Sequence, residues 1–405
     1  MRWTTKFSTS WKTARLCAGL LLIALIGGCM SVGPDYTEPE VDADTDWLDL
    51  EQSLLTNAPP TDPTWWKKAF MDPELDALID KALQQNLSLR SAGLRVLQSQ
   101  QQLAIAVGNQ YPQKQFASGS ATRTKANELI NNDYDLGLNL TWEADLWGRF
   151  RRQVESASAA LDASVADYDG VMISLISQVA QNYIQIRTSQ QRVQVANLNI
   201  KLQEESLQIA RAKFNAGEVS ELDVDQAESL VNNTKATLSE FENILQQSKN
   251  SLAVLLGELP QNMSYLIEET KTIPVADSTI ALGMPQDLIR RRPDIRTAER
   301  RLAAQSAQIG YAVSDLYPQF SIGGTVGYNA LHSDDLFDSD SERWSLSGMF
   351  QWNIFNYGRL RSNIRLQDAL FQQLLVDYRN TILLAQADAE NAIVAYLKSY
   401  DQFNS

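Results

Sequence analysis

The residue best placed for covalent chemistry is Cys29. It closes the sequence Ile26-Gly27-Gly28-Cys29, at the end of the apolar run 16–26, which follows Arg2, Lys6, Lys12 and Arg15 with no acidic residue among them. A basic start, a short apolar stretch and small residues at the exit read as a secretory signal peptide over 1–28, too short for a membrane span. Small residues before the cysteine admit a signal peptidase, and the freed Cys29 thiol takes a diacylglycerol lipid. The competing reading is an ordinary signal peptide whose cysteine lies near the cleavage site by coincidence.

Met30, not Asp, follows the cysteine. Bacterial lipoproteins use Asp there for retention in the inner membrane, so Met30 favours the outer one. Cys17 lies inside the removed segment, which leaves the mature chain neither a disulfide nor a thiolate metal site. His332 is the only histidine, in an acidic loop with Ser333, Asp334 and Asp335. One imidazole without a partner reads as a solvated loop residue, and no catalytic or metal-binding constellation emerges. Gly323-Gly324 sits among alternating residues and reads as strand glycine, not a phosphate loop. The expectation is therefore a chain that is not an enzyme and carries no cofactor beyond the lipid on Cys29.

The remaining charge is mostly acidic. Glu204, Glu205, Glu218, Glu221, Asp223 and Asp225 read as a solvated helix face, or as the lining of a water-filled conduit biased toward cations. Arg290-Arg291-Arg292-Pro293 reads as a helix start with ion pairs. The formal charge is −14, and removing the four signal cations takes it to −18, which argues against nucleic acid as a partner.

The elements that position these residues come from a duplication. Residues 29–71, rich in Pro, Asp, Thr and Trp, read as a lipid-anchored tether. A helical pattern opens at Asp72-Pro73-Glu74, with Asp as cap and Pro in the first turn. Leu89-Arg90-Ser91-Ala92 through Tyr111-Pro112-Gln113 then matches Ile295-Arg296-Thr297-Ala298 through Tyr317-Pro318-Gln319 at an offset of 206. Trp142 through Gly148-Arg149 matches Trp352 through Gly358-Arg359 at an offset of 210. This predicts a first repeat over 72–260 and a second over 281–405, each opening helix, two strands, long helix.

Between those landmarks Tyr134, Leu136, Leu138, Leu140 and Trp142 alternate with polar residues, as do Trp344, Leu346, Phe350, Trp352 and Ile354. The period of two predicts strands near 115–125, 134–143, 320–329 and 344–355. About ten residues with aromatics toward the ends suits a tilted membrane strand, although the edge of a soluble sandwich carries a similar pattern. Four strands cannot close a membrane barrel, so several protomers must pool them.

After Gly148-Arg149 there is no proline until Pro260. Apolar residues recur every seven positions from Val165 through Phe214, and again from Val224 through Leu259. This predicts two coiled-coil helices joined at Asn215-Ala216-Gly217-Glu218, the first about 100 Å long at 1.5 Å per residue. The second repeat restarts the seam at Leu375, Ile382, Ala389, Tyr396 and Phe403. By the offset, a second turn and return helix of about sixty residues would follow Ser405, and closure of a tube would depend on them.

The start at Val32-Gly33-Pro34-Asp35-Tyr36, the run Arg290-Arg291-Arg292-Pro293-Asp294, Tyr-Pro before each strand pair, and the two Gly-Arg landmarks together resemble the outer-membrane factors of RND-type efflux systems, the TolC, OprM and NodT-like proteins. The resemblance covers essentially the whole chain. It implies a mainly α fold with a membrane β-barrel part. The long helices would form an α-barrel, and each protomer of a homotrimer would give four strands to a twelve-stranded barrel. It also implies a periplasmic adaptor protein and an inner-membrane transporter as partners. The adaptor would grip the turn at Phe214, Gly217, Glu218, Val219, Ser220, Leu222 and Asp223. The implied function is passive export of drugs or other toxic small molecules from an outer membrane site. Two alternatives stay open: the exit duct of a type I protein secretion system, and a coiled-coil lipoprotein that spans no membrane.

Overall fold

The computed structural model describes residues 31–40, 55–56, 64–263, 272–274, 280–281 and 290–404; the signal segment and Cys29 lie outside them. Two compact units emerge. One takes in the described parts of Met1–Glu40 with Leu97–Ser164 and Arg296–Leu383. The other takes in the described parts of Val41–Val96, Val165–Ile295 and Leu384–Ser405.

The helices are α1 (Trp65–Phe70), α2 (Pro73–Gln85), α3 (Leu87–Gly108), α4 (Arg149–Asn215), α5 (Glu221–Leu255), α6 (Pro293–Ser314) and α7 (Arg359–Asn404). None among the described residues is long and apolar enough to cross a membrane. Asp72 caps α2: its Oδ1 accepts from the Glu74 amide at 2.9 Å and the Leu75 amide at 3.2 Å, with Pro73 at the first position. Asn86 separates α2 from α3, its Oδ1 accepting from the Leu89 amide at 2.8 Å.

In the first unit, β1 (Lys114–Ala126), β2 (Leu129–Ala144), β3 (Gln319–Ala330) and β4 (Glu342–Gln351) form one antiparallel sheet in that order. Asn127 and Glu128, with φ of 47° and 72°, make the two-residue β1–β2 turn, whose twist matches the flanking strands. Beside the sheet, Ala159, Ala163, Ala303, Ala307 and Ala312 are buried on α4 and α6. Such small side chains let helix backbones approach closely.

The second unit holds a conventional core. Leu75, Ile79, Val179, Tyr183, Ile186, Leu252 and Leu256 are fully or almost fully buried together. Burying each such aliphatic side chain is worth about 1.5–3 kcal/mol. The Arg187 side chain is enclosed beside that core. It pairs with Glu74 at 2.7 Å and lies over the Tyr183 ring, whose hydroxyl donates to Asp72 at 2.8 Å. Burial pushes the Tyr183 phenol up to about 12, so it stays a neutral donor at ordinary pH.

Three expectations need correction. The strand expected over 344–355 stops at Gln351, because its partner β3 begins at Gln319 and offers nothing to pair further. Trp352 instead donates its indole N–H to the Leu316 carbonyl at 2.9 Å, as Trp142 does to Gln110 at 3.2 Å in the first repeat. The tether reading fails at two places: residues 31–36 are docked, with Val32 buried, and α1 buries Trp66. The heptad seam is not continuous either. Val179, Ile186 and Ile200 are buried, but Val165 and Phe214 are exposed, and Leu259 lies beyond the end of α5.

Candidate functional site

The sheet sorts its residues by chemistry. Opposed residues share a face. Leu138 stands opposite Ala117 and Val326, and Val326 opposite Trp344; Leu140 stands opposite Gly324, and Gly324 opposite Leu346. On the other face Asn139 faces Thr325, and Thr325 faces Ser345. Phe116, Leu129 and Met349 are apolar exceptions on this polar side, and Gln115, Arg123, Lys125, Asn132 and Glu342 are polar exceptions on the other. Asn139 donates to Ser118 Oγ at 2.9 Å, Asn329 to Asp133 at 3.0 Å, and Arg343 forms an ion pair with Asp135. The polar face is thus cross-linked and suited to water. The apolar face is bare, with Leu138 61% and Trp344 76% exposed.

An apolar surface this wide is costly in water and has no cover within the unit. It fits the hydrocarbon of a bilayer, with the polar face toward an aqueous lumen. Four strands leave β1 and β4 as open edges, and unpaired edge groups cannot face lipid.

The expected tip residues come together in one turn between α4 and α5. Gly217 (φ +78°) ends α4: its amide donates to Phe214 at 2.9 Å and the Glu218 amide to Lys213 at 2.9 Å, closing a Schellman motif. Glu258 and Gly257 close α5 in the same way, through Ala253 and Val254. Ser220 opens α5, and its amide and hydroxyl donate to the Asp223 carboxylate at 2.8 and 2.6 Å. Those bonds hold the Asp223 carboxyl below its usual range. Phe214, Glu218 and Leu222 are exposed, and Val219 is half-buried. The turn is therefore rigid in its backbone and offers bare apolar side chains.

The other residues singled out are ordinary. His332 is exposed, 3.5 Å from Asp335. Arg292 pairs with Asp294 and Asp388 at 2.9 Å each, and Glu204 with Lys235 at 2.7 Å. No cluster of metal-ligating side chains occurs among the described residues. Cys29 lies outside them.

Sequence reasoning missed Arg152. Its side chain is buried and gathers the N-terminal segment: Nε donates to the Val32 carbonyl at 3.1 Å, and Nη2 to Gly33 at 3.3 Å and Asp35 at 2.8 Å. The Val32 amide donates to Trp147 at 3.0 Å, and the Tyr36 hydroxyl to Glu299 at 2.6 Å. Gly33 (φ +91°) rests on Gly310, where any Cβ would come within 2.4 Å of the Gly310 Cα. The signal was present in Val32-Gly33-Pro34-Asp35-Tyr36, whose glycine and aromatic suit close packing as well as a linker.

Known proteins share this design. The outer membrane efflux protein family matches residues 78–258 and 284–404. The pyoverdine export outer membrane protein OpmQ of Pseudomonas putida is 34% identical over 387 residues, covering 86% of this chain and 81% of that protein. The cation efflux system protein CusC of Escherichia coli is 27% identical over 401 residues, covering 97% and 85%. The solved outer-membrane channel OprN superposes with a TM-score of 0.84 at 32% identity, over 92% of this chain and 84% of that one. With the sheet and helical hairpin described above, these matches show that the chain belongs to the outer membrane efflux protein family, as an outer-membrane channel component with helical and β-barrel parts.

Proposed function

We propose that the chain is the passive exit duct of a tripartite efflux pump, working as a homotrimer without catalysis. Three copies would pool twelve strands into one barrel whose polar faces line an aqueous lumen. The observation that carries this reading is the sorted sheet, apolar on one face and hydrogen-bonded polar on the other, with too few strands to close alone. The same bare face weighs against a spacer that stays out of the membrane, since water would meet Leu138 and Trp344 directly.

The tip at Phe214, Gly217, Glu218, Val219, Ser220, Leu222 and Asp223 docks the periplasmic adaptor, which links the duct to an inner-membrane transporter. Its fixed backbone and exposed Phe214 and Leu222 support that role. Cys29 carries the lipid. Relatives named for pyoverdine and for cations share the architecture, which supports small-molecule cargo selected elsewhere in the pump.

Single-cysteine labelling in outer-membrane vesicles tests the central element. A water-soluble maleimide is expected to modify Asn139→Cys and leave Leu138→Cys unreacted. Equal labelling at both positions would contradict a lipid-facing sheet.

A further inference from the structure

The apolar face of the sheet changes chemistry along its length. Its apolar band starts with Trp142, Phe320 and Phe350 at the end joined to the helices and runs up to Tyr134, Tyr328 and Trp344. Tyr134 and Trp142 lie about 27 Å apart along β2, at ~3.4 Å per residue. With the tilt of barrel strands, that span approaches the ~25 Å height of a membrane barrel's apolar band, and the aromatics at its ends stand where interfacial girdles stand.

Beyond Tyr134 the same face turns cationic. Arg123 stands opposite Asn132 and Lys125 opposite Ile130, both exposed and about 7 Å apart along β1. They flank the Asn127–Glu128 turn, at the end of the sheet away from the helices. Neither joins an ion pair with Glu128 or with any other carboxylate among the described residues. The nearby aspartates face the other way: Asp133 and Asp135 belong to the polar face, where Asn329 and Arg343 hold them. Glu342 shares the face of the two cations but lies three strand spacings over on β4, about 14 Å across the sheet. Between the cations and the helices the face carries a trough. Ala117 and Gly324 leave a depression of ≈ 600 Å³ beside Leu138, Leu140, Val326 and Trp344. A Cβ added at Gly324 would meet nothing nearer than 3.6 Å.

We propose that this part of the sheet holds an outer-leaflet lipid whose headgroup bears a phosphate monoester, with Arg123 and Lys125 on the phosphate and an acyl chain in the trough. The charge count selects the ester. A monoester carries about −1.5 to −2 near neutral pH and matches two cations, whereas the diester of an ordinary phospholipid carries about −1. The Arg123 guanidinium adds a planar fork that two phosphate oxygens can accept from together. The trough selects a lipid over free phosphate, since Asn132 and Leu138 lie about 20 Å apart along β2, within reach of a fatty acyl chain. The site rests on the membrane-wall reading, which puts the turn end of the sheet at the outer leaflet.

Native mass spectrometry of the detergent-purified full chain tests it by competition among a bisphosphorylated acylated glucosamine disaccharide, the same lipid stripped of phosphate, and phosphatidylglycerol. The phosphorylated glycolipid is expected to be retained about tenfold better than either of the others. Arg123→Gln combined with Lys125→Gln should remove that preference. Gly324→Leu, which fills the trough, should weaken retention of all the lipids and keep their order. A double variant that keeps the preference, or one whose copies come apart instead, would overturn the proposal. Displacement of the glycolipid by excess inorganic phosphate would overturn it in favour of a free-anion site. Maleimide labelling of Leu138→Cys separates the two readings when the unmodified chain shows no preference among the lipids. An unreacted cysteine then leaves the membrane wall standing and removes only the lipid site, whereas a reacted one removes both.

Discussion

Leu138 and Ile186 are both aliphatic residues in regular structure, yet Leu138 is 61% exposed and Ile186 is fully buried. Near Ile186 the helical hairpin closes apolar residues into a core with α2, whereas further toward the tip Leu198, Leu202, Ile209 and Leu230 are exposed. The sheet turns its apolar residues outward and keeps its polar residues in a hydrogen-bonded array. One region is built for water outside and oil inside, the other for the reverse. The difference is that the cluster around Ile186 is buried within one protomer, whereas the apolar face of the sheet has no cover in its own unit and suits lipid and neighbouring strands.

Substitutions should separate the two regions sharply. Glu74→Ala leaves the enclosed Arg187 without that carboxylate, and loss of one partner of a buried pair costs about 3–5 kcal/mol. Arg343→Ala opens the Asp135 pair on the polar sheet face, where an exposed ion pair is worth about 1 kcal/mol or less. Thermal melting followed by far-UV circular dichroism is expected to show a large loss for the first variant and almost none for the second. Equal losses would erase the contrast.

Leu252→Ala empties a fully buried site and should cost about 2–5 kcal/mol in the same melt. Leu138→Ala, on the bare face, should leave the melt nearly unchanged and reduce membrane partitioning instead. Trp344→Lys places a charge on that face at a cost of about 2–4 kcal/mol if the site lies near the bilayer midplane. Thr325→Lys, on the opposite face of the adjacent strand, should insert normally; the reading out is flotation with lipid vesicles.

The smallest effect belongs to the tip. Asp223 has a lowered carboxyl pKa because the Ser220 hydroxyl and amide stabilise its ionised form. Its contribution to capping α5 is therefore complete above the ordinary carboxylate range and lost as pH falls through the depressed folded value. Ser220→Ala should move the Asp223 titration upward in a carboxylate-resolved NMR experiment. No movement would remove Ser220 as the cause.

Much of this was legible in the residues because its determinants are local. Alternation from Tyr134 to Trp142 marks a two-faced strand, and Asn-Ala-Gly-Glu at 215–218 marks a helix end. The end of β4 was not legible, since alternation continues through Trp352 and Ile354 while the pairing partner runs out at Gln319. Heptad spacing likewise says which residues share a stripe, not which of them meet a cover, so Val165 and Phe214 remain open. The N-terminal strap depended on Arg152, which lies about 120 residues along the chain from Val32. No local pattern could announce that contact.

The central claim is that this sheet becomes a membrane wall only by joining copies of itself. Native mass spectrometry of the full chain, extracted from outer membranes in mild detergent, tests it most directly. The account predicts a mass of three chains. A membrane-inserted monomer would contradict it, because four strands cannot close a barrel around water.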